Sequence, residues 1–289
     1  MDISAAMVKE LRERTGAGMM ECKKALVQTQ GDLEEAVEIL RKKSKDIADK
    51  KSSRVAAEGI IAMVTDANNG VMVEVNCETD FVAKKSEFND FAQALAQHAL
   101  RNQVVDAAAL LQVEKDGKTF EEQRLELVAL IGENISVRRA AVLRADHTLG
   151  YYQHGQRIGV MVDLKGGDND LAKDICMHIA ASNPICIDES QIPQSLLDKE
   201  KEIYMAQAQE SGKPPEIAEK MVTGRLQKYI GQVTLLGQPF VKDPDQTVAK
   251  ILKAANAQVM HFERFGVGEG IEKKSENFAE EVMAQVKGK

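Results

Sequence analysis

A short internal repeat constrains the fold of this chain more than any other feature. The stretch Gly70–Val75 (GVMVEV) reappears as Gly159–Leu164 (GVMVDL). Each copy leads into a helical pattern that carries a histidine among apolar residues, His98 in the first copy and His178 in the second. Repetition of a strand followed by a helix predicts a duplicated supersecondary unit.

The two copies differ in the length of chain between strand and helix. Val71 and His98 are 27 positions apart, whereas Val160 and His178 are 18 positions apart. The first copy therefore carries nine extra residues, Cys77–Lys85. We predict that this insertion is a loop and, because it presents an aromatic residue and a carboxylate outside a core, that it is a contact point.

Each copy reads as hairpin, helix, helix, strand. In the first copy, Asn68-Asn69-Gly70 is a strong hairpin signal between two apolar runs. A helix follows from Ser86, a capping box at Thr119–Glu122 opens the next helix, and Ile135–Leu143 returns as a strand. The pattern predicts an α+β fold in which small antiparallel sheets are covered by helices on one face.

The second copy is interrupted by two amphipathic helical segments on either side of Ser211–Pro215, a turn signal. We interpret this insertion as an antiparallel helical hairpin. Its apolar stripe is too narrow for a core of its own, so the hairpin is expected to need an outside surface. A coiled-coil-like contact with a second molecule and a purely structural arm both remain open.

Three helices are predicted within residues 1–40, with breaks at Gly16, Gly18 and Gly31 and a cap at Asp32. Met19 and Met20 follow the first break. Such methionines either pack in the core or form a soft surface for a partner helix. At the other end of the chain, Gly266–Gly270 (GVGEG) is interpreted as a flexible joint before a short C-terminal helix.

These patterns divide the chain into five parts. We predict a three-helix domain plus basic linker (1–54), a core subdomain N (55–145), a core subdomain C (146–182 and 230–265), the inserted hairpin as a dimerisation arm (183–229) and a hinged C-terminal helical module (266–289).

Composition narrows the class of protein. The net charge of −7 gives no basic footprint for binding nucleic acid. The basic run Arg41–Arg54 is either a nucleic-acid arm or, as we prefer, a solvated linker. No apolar run is long enough to span a membrane and no signal peptide is recognisable, so we expect a cytoplasmic protein.

No catalytic motif is recognisable in the sequence. Asp80 could act as a base, but Lys84 and Lys85 would favour its charged form and no acid partner is apparent. His98 and His178 fall on apolar stripes and are expected to be satisfied core or interface residues. The scattered histidines and the four cysteines, which should stay reduced, predict no zinc site and no cofactor.

Several segments together resemble the elongation factor Ts family. The resemblance lies in Leu11–Met20, Cys22–Leu26, Glu74–Ala83, Gly237–Val241 and Val267–Glu272. It covers essentially the whole chain and implies that the N-terminal domain is UBA-like. It also implies guanine-nucleotide exchange on elongation factor Tu, the GTPase that delivers aminoacyl-tRNA, by contact rather than by catalysis.

The resemblance implies roles for individual residues. Thr79, Asp80, Phe81 and Val82 match the segment that dislodges the partner's Mg²⁺, with Phe81 as a wedge in an apolar slot. Partner-binding residues are implied in the N-terminal unit, the second half of the core and the C-terminal helix: Arg12, Met19, Met20, His154, Phe278 and Val282. A dimer of heterodimers through the helical arm is possible, with no direct contact to nucleic acid or membrane. The alternatives are an acidic scaffold without exchange activity and an unrecognised enzyme.

Overall fold

A computed structural model describes residues 3–210 and 214–272, and the chain divides into two compact units. The first unit comprises the described parts of Met1–Val64, Met72–Ala140 and Gly266–Lys289. The second comprises Thr65–Val71 and Ala141–Phe265. Both contain helices and small sheets, which confirms the predicted α+β class.

The N-terminal part is a three-helix module made of α1 (Ala5–Thr15), α2 (Met19–Gln28) and α3 (Leu33–Lys51). Gly16 ends α1 in the left-handed conformation, and the Asp32 carboxylate caps α3 by accepting the N–H of Glu35. Apolar faces of all three helices form one small core, consisting of Leu11, Cys22, Ala25, Leu26, Ala36 and Leu40. The predicted three-helix arrangement is therefore confirmed.

The first sheet has the order β1-β2-β5 and is accompanied by helices. In chain order the elements are β1 (Glu58–Thr65), β2 (Asn69–Cys77), α4 (Asp80–Ala83), α5 (Ser86–Asn102), α6 (Ala107–Leu111), β3 (Glu114–Lys115), β4 (Lys118–Thr119), α7 (Phe120–Ile131) and β5 (Ser136–Arg144). The Thr119–Glu122 capping box at the start of α7 is present in both directions, at 2.9 and 3.1 Å.

The second sheet has the order β10-β7-β6. In chain order the elements are β6 (Thr148–His154), β7 (Ile158–Lys165), α8 (Asn169–Ser182), a 3₁₀ turn (Glu189–Gln191), α9 (Gln194–Glu210), α10 (Pro215–Val233), β8 (Pro239–Phe240), β9 (Asp243–Thr247), α11 (Val248–Ala254) and β10 (Gln258–Gly266). In both sheets the second strand of a hairpin is central and the returning strand pairs with it, as duplication predicts. The short pairs β3–β4 and β8–β9 were not predicted.

The basic run Arg41–Arg54 is not a separate linker. Helix α3 continues through it to Lys51, well past the end expected near residue 40. It contacts α7, where Arg41 forms an ion pair with Glu122, and Ala48 is buried. One helix therefore belongs to both the three-helix module and the core of the first unit.

The glycine-rich segment Gly266–Gly270 is not a free joint either. Gly268 donates its N–H to Glu74, which is fully buried on β2. Arg139 and Arg138 donate to the carbonyl oxygens of Gly266 and Glu269, respectively. This strap, as we call residues 266–270, is tied to the sheet at several points. The C-terminal helix predicted beyond it lies outside the described residues.

The inserted helical hairpin is present, formed by α9 and α10, although part of its turn lies outside the described residues. Its base has a small core of Cys186, Ile192 and Ile230. Further out, Ala208 and Val222 are buried between the helices, whereas Ile203, Met205 and Ile217 remain exposed.

Candidate functional site

The segment Thr79–Val82 forms a turn of helix rather than the irregular loop expected from the sequence. The Thr79 hydroxyl caps α4 by accepting the N–H of Val82 at 3.4 Å. Only Glu78 separates the cap of this turn from the end of β2 at Cys77. We call residues 79–82 the wedge turn.

The two apolar side chains of the wedge turn, Phe81 and Val82, point in different directions. Successive residues of a helix differ in direction by about 100°. Val82 is buried at 3% exposure, whereas Phe81 is 76% exposed. The buried valine fixes the turn to the core, and the phenylalanine ring projects into solvent.

Charge around the phenylalanine is balanced locally. The Lys84 ammonium lies 2.7 Å from the Asp80 carboxylate and 5.8 Å from the centre of the Phe81 ring. The Lys84 side chain is largely solvent-accessible and that of Asp80 is about half exposed, so the pair contributes little to stability. The surface of the turn thus combines an apolar ring with an ion pair beside it.

Glu133 holds the start of the wedge turn. Its carboxylate accepts the backbone N–H groups of Glu78 and Thr79 at 3.1 and 3.0 Å, and the Thr79 hydroxyl at 2.7 Å. Gly132, in the left-handed conformation with φ of 85°, ends α7 and leads directly into this residue. The loop between α7 and β5 is therefore bonded to the backbone that precedes Asp80.

A second set of bonds runs in the opposite direction. The Glu78 carboxylate accepts the N–H of Asn134 at 2.6 Å. The Asn134 amide in turn donates to the carbonyl oxygens of Arg54, at 2.8 Å, and Ser52, at 3.3 Å. Glu78, Glu133 and Asn134 thus connect the start of the wedge turn to the segment that follows α7.

The thiol of Cys77 also supports the turn, since it donates to the carbonyl oxygen of Thr79 at 3.1 Å. Burial raises the pKa of Cys77 to about 12, with the nearby Glu133 carboxylate acting in the same direction. The thiol is therefore protonated at neutral pH and able to donate.

Sequence reasoning did not find Glu133. It is 54 positions from Thr79 in the chain, and a single carboxylate after a helix carries no periodic signal. The local sign is Gly132, which ends α7 immediately before Glu133 and indicates a sharp turn of the chain.

The methionines predicted to bind a partner lie on the surface. Met19 and Met20 begin α2 and are 61% and 63% exposed, which excludes the alternative that they fill the core. Arg12, on the last turns of α1, is also exposed. The three-helix module thus exposes two soft apolar side chains on α2 and a positive charge on α1.

The other predicted contact residues are placed as follows. His154 ends β6 in the second unit, is exposed, and lies with its Nδ1 3.0 Å from the Tyr152 hydroxyl. Phe278 and Val282 lie outside the described residues. The partner-binding assignment of these three residues stays a prediction, as does that of Arg12, Met19 and Met20.

His178 is a satisfied core residue, as expected. It is fully buried, and its Nδ1 accepts the N–H of Val241 at 3.2 Å. The proton therefore sits on Nε2, which donates to the Gln238 side-chain oxygen at 2.9 Å. Burial lowers the pKa of His178, although the bond to Gln238 opposes this. His98 stacks edge-on against Phe120 with ring centres 5.7 Å apart, and burial lowers its pKa too.

The cysteines and the acidic side chains give no sign of another kind of site in the described residues. All four cysteines are buried and free. Within residues 3–210 and 214–272, no group of three or more histidine, cysteine or acidic side chains is arranged to hold a metal ion. No helix in that part of the chain is long and apolar enough to cross a membrane. A cleft of about 740 Å³ in the second unit, lined by Lys165, Asp188 and Lys253 among others, includes no residue of the predicted sites.

Comparison with known proteins agrees with this picture. The sequence model of the family described as "Elongation factor TS" matches residues 78–269. Proteins named elongation factor Ts from Thioalkalivibrio sulfidiphilus, Methylococcus capsulatus and Halorhodospira halophila are 61%, 58% and 57% identical to this chain. Each alignment covers 99 to 100% of both sequences.

Fold, surface and relatives together define a translation elongation factor, a protein of the elongation step of protein biosynthesis. The chain belongs to the elongation factor Ts family.

Proposed function

We propose that this protein is a guanine-nucleotide exchange factor for elongation factor Tu, and that it acts in the cytoplasm, where translation takes place. It binds the GDP-bound GTPase, disturbs the Mg²⁺ and phosphate site, promotes GDP release and so allows GTP to bind. The observation that carries the proposal is Phe81, a 76% exposed aromatic ring on a short helical turn that is bonded firmly to the core.

The physical basis is coupling between two bound ligands. Mg²⁺ bridges nucleotide phosphates whose charges otherwise repel each other. An aromatic side chain that enters the edge of such a site displaces the groups that orient the ion, and the nucleotide then binds less tightly. By linkage, nucleotide weakens the binding of the exchange factor by the same ratio, so incoming GTP expels it.

Phe81 suits this role because an aromatic ring offers a large apolar area with few rotatable bonds. Asp80, paired with Lys84, would add a negative charge near the partner's metal site. Arg12, Met19, Met20 and His154 would supply affinity by contacting the GTPase away from its nucleotide. No chemical step by this chain is needed in the scheme.

The test is nucleotide release measured by stopped flow with fluorescent GDP bound to elongation factor Tu. Phe81→Ala should slow the maximal rate at saturating exchange factor by at least about tenfold, the effect of roughly 1.4 kcal/mol. Its unfolding free energy should change by no more than about 0.5 kcal/mol, since the ring is exposed. Val105→Ala, which removes another exposed apolar side chain (54%), is the matched control and should release GDP like the wild type.

A wild-type release rate in Phe81→Ala would contradict the wedge role. Binding of the GTPase without any acceleration of GDP release by the wild-type chain would instead favour the scaffold alternative. Turnover of a substrate by the chain alone would favour an enzyme.

A further inference from the structure

We infer that Glu133 is a positioning residue for the wedge turn, a role that rests on the proposed exchange function. The Phe81 side chain is mostly in solvent, so the protein can direct it only through the backbone that carries it. Glu133 accepts two consecutive backbone N–H groups immediately before Asp80. It therefore fixes the direction in which the chain leaves β2 and enters the turn.

The turn needs such an anchor because it is short. Helix α4 has four residues, too few for a stable helix on its own. The Thr79 hydroxyl donates to Glu133 at 2.7 Å while accepting the N–H of Val82 at 3.4 Å. The carboxylate is thus connected through one hydroxyl to the first turn of α4.

Glu133 is itself held in place. It lies between Gly132, which ends α7, and Asn134, whose backbone N–H is bonded to the Glu78 carboxylate at 2.6 Å. The Glu78 carboxylate accepts a backbone N–H next to Glu133, and the Glu133 carboxylate accepts the backbone N–H groups of Glu78 and Thr79. Such a reciprocal arrangement resists rotation of the turn more strongly than a single bond would.

The inference predicts that removing the carboxylate weakens exchange through Phe81. Glu133→Ala should fold but release GDP from elongation factor Tu roughly three- to tenfold more slowly at saturation, while Glu133→Gln, which keeps an acceptor oxygen, should fall between it and the wild type. The double variant Glu133→Ala/Phe81→Ala should be no slower than Phe81→Ala alone, because the anchor has no ring left to direct.

A matched control separates positioning from general stability. The Glu122 carboxylate similarly accepts the backbone N–H of Thr119, at the other end of α7. Glu122→Ala should therefore lose stability without slowing the maximal rate of GDP release. If Glu133→Ala does not fold, Thr79→Val tests the same connection by removing the hydroxyl that donates to Glu133.

The outcomes are distinct. Binding of elongation factor Tu by the wild-type chain without acceleration of GDP release overturns the proposed exchange function itself. A wild-type rate in Phe81→Ala overturns the wedge role and, with it, the positioning role of Glu133. A slow Phe81→Ala together with a wild-type rate in Glu133→Ala and Thr79→Val overturns only the positioning role of Glu133. An effect of Glu133→Ala that persists in full in the Phe81→Ala background also overturns it, since the carboxylate would then act independently of the ring.

Discussion

The backbone N–H of Gly268 donates to the carboxylate of Glu74 over 2.8 Å, although the two residues are 194 positions apart. Glu74 is fully buried and also accepts bonds from Arg138, Arg139 and Asn76. Burial alone would raise the pKa of Glu74, but these hydrogen bonds outweigh it and the pKa is lowered. The carboxylate is therefore charged at neutral pH and holds the strap on the sheet.

Gly268→Ala should detach the strap. A Cβ at this position would lie 2.2 Å from the carbonyl oxygen of Ala57, and φ is +73°. We expect a loss of about 2–4 kcal/mol in unfolding free energy from overpacking and backbone strain together. Urea unfolding followed by circular dichroism measures it.

Gly117→Ala is the matched control for that substitution. Gly117 has a similar φ of +79° but nothing within 4 Å of its added Cβ, so only the backbone strain of about 1–2 kcal/mol applies. Equal losses in the two variants would show that the strap contributes nothing beyond local conformation.

The strap illustrates what the sequence could not predict. Five residues with three glycines are typical of a flexible joint, and the sequence pattern alone supports that interpretation. The stabilising partner is the carboxylate of Glu74 on β2, and nothing in the local sequence marks that residue for this role. Glu74 can be buried because it pairs with Arg138 and Arg139. These residues are distant in the sequence, so no local sequence pattern reveals the pairing.

His178 should make folding sensitive to mild acid. Its pKa in the folded protein lies below the ordinary value of 6.5, because protonation would charge a buried ring. The unfolded chain therefore takes up the proton first, and stability is complete above about pH 6.5 and falls as the pH decreases towards the lowered pKa. The slope should approach 1.4 kcal/mol per pH unit.

The measurement is urea unfolding of the wild type and of His178→Gln between pH 7.5 and 5.5. The variant should be less stable at pH 7.5 but should depend less on pH. Parallel pH profiles for the two proteins would rule out His178 as the source of the dependence.

Met19 and Met20 should contribute affinity rather than rate. Both are more than half exposed at the start of α2, so the double substitution to alanine should leave the fold intact. We expect affinity for elongation factor Tu to fall about tenfold while GDP release at saturating exchange factor is unchanged. Titration calorimetry and stopped flow together measure the two quantities.

Val105→Ala again serves as the control, since Val105 is also exposed (54%) but lies outside the three-helix module and the inserted hairpin. An unaltered affinity after loss of Met19 and Met20 would remove the three-helix module from the contact surface.

The inserted hairpin should govern assembly more than exchange. Replacing residues 203–222 by a short Gly-Ser loop removes the exposed Ile203 and Ile217 but spares the core at the base around Ile230. We propose that this arm joins two complexes, so the truncated form should sediment as a smaller complex with elongation factor Tu. An unchanged sedimentation coefficient would refute the assembly role.

The candidate site was only partly visible in the sequence. Phe81 could be found because the length difference between two copies of one repeat points to inserted residues, and an insertion is seldom core. The fold class was predictable for the same reason, since periodic strands and helices occur twice. Neither Glu133 nor the second half of α3 was predictable. Glu133 acts through hydrogen bonds to residues 54 and 55 positions away, which leave no local pattern. In the second half of α3 many charged side chains surround one buried residue, Ala48.

The continuation of α3 into the core has a consequence for how this protein can change during evolution. A helix turns by about 100° and rises about 1.5 Å for each residue. One residue inserted between Leu40 and Ala48 would rotate Met19 and Met20 by more than a quarter of a turn relative to the end of α3 that packs in the core. A flexible tether in place of the helix would allow the module to keep its orientation. The length of this helix therefore determines the direction in which Met19 and Met20 face. Only insertions or deletions close to whole turns should be tolerated there.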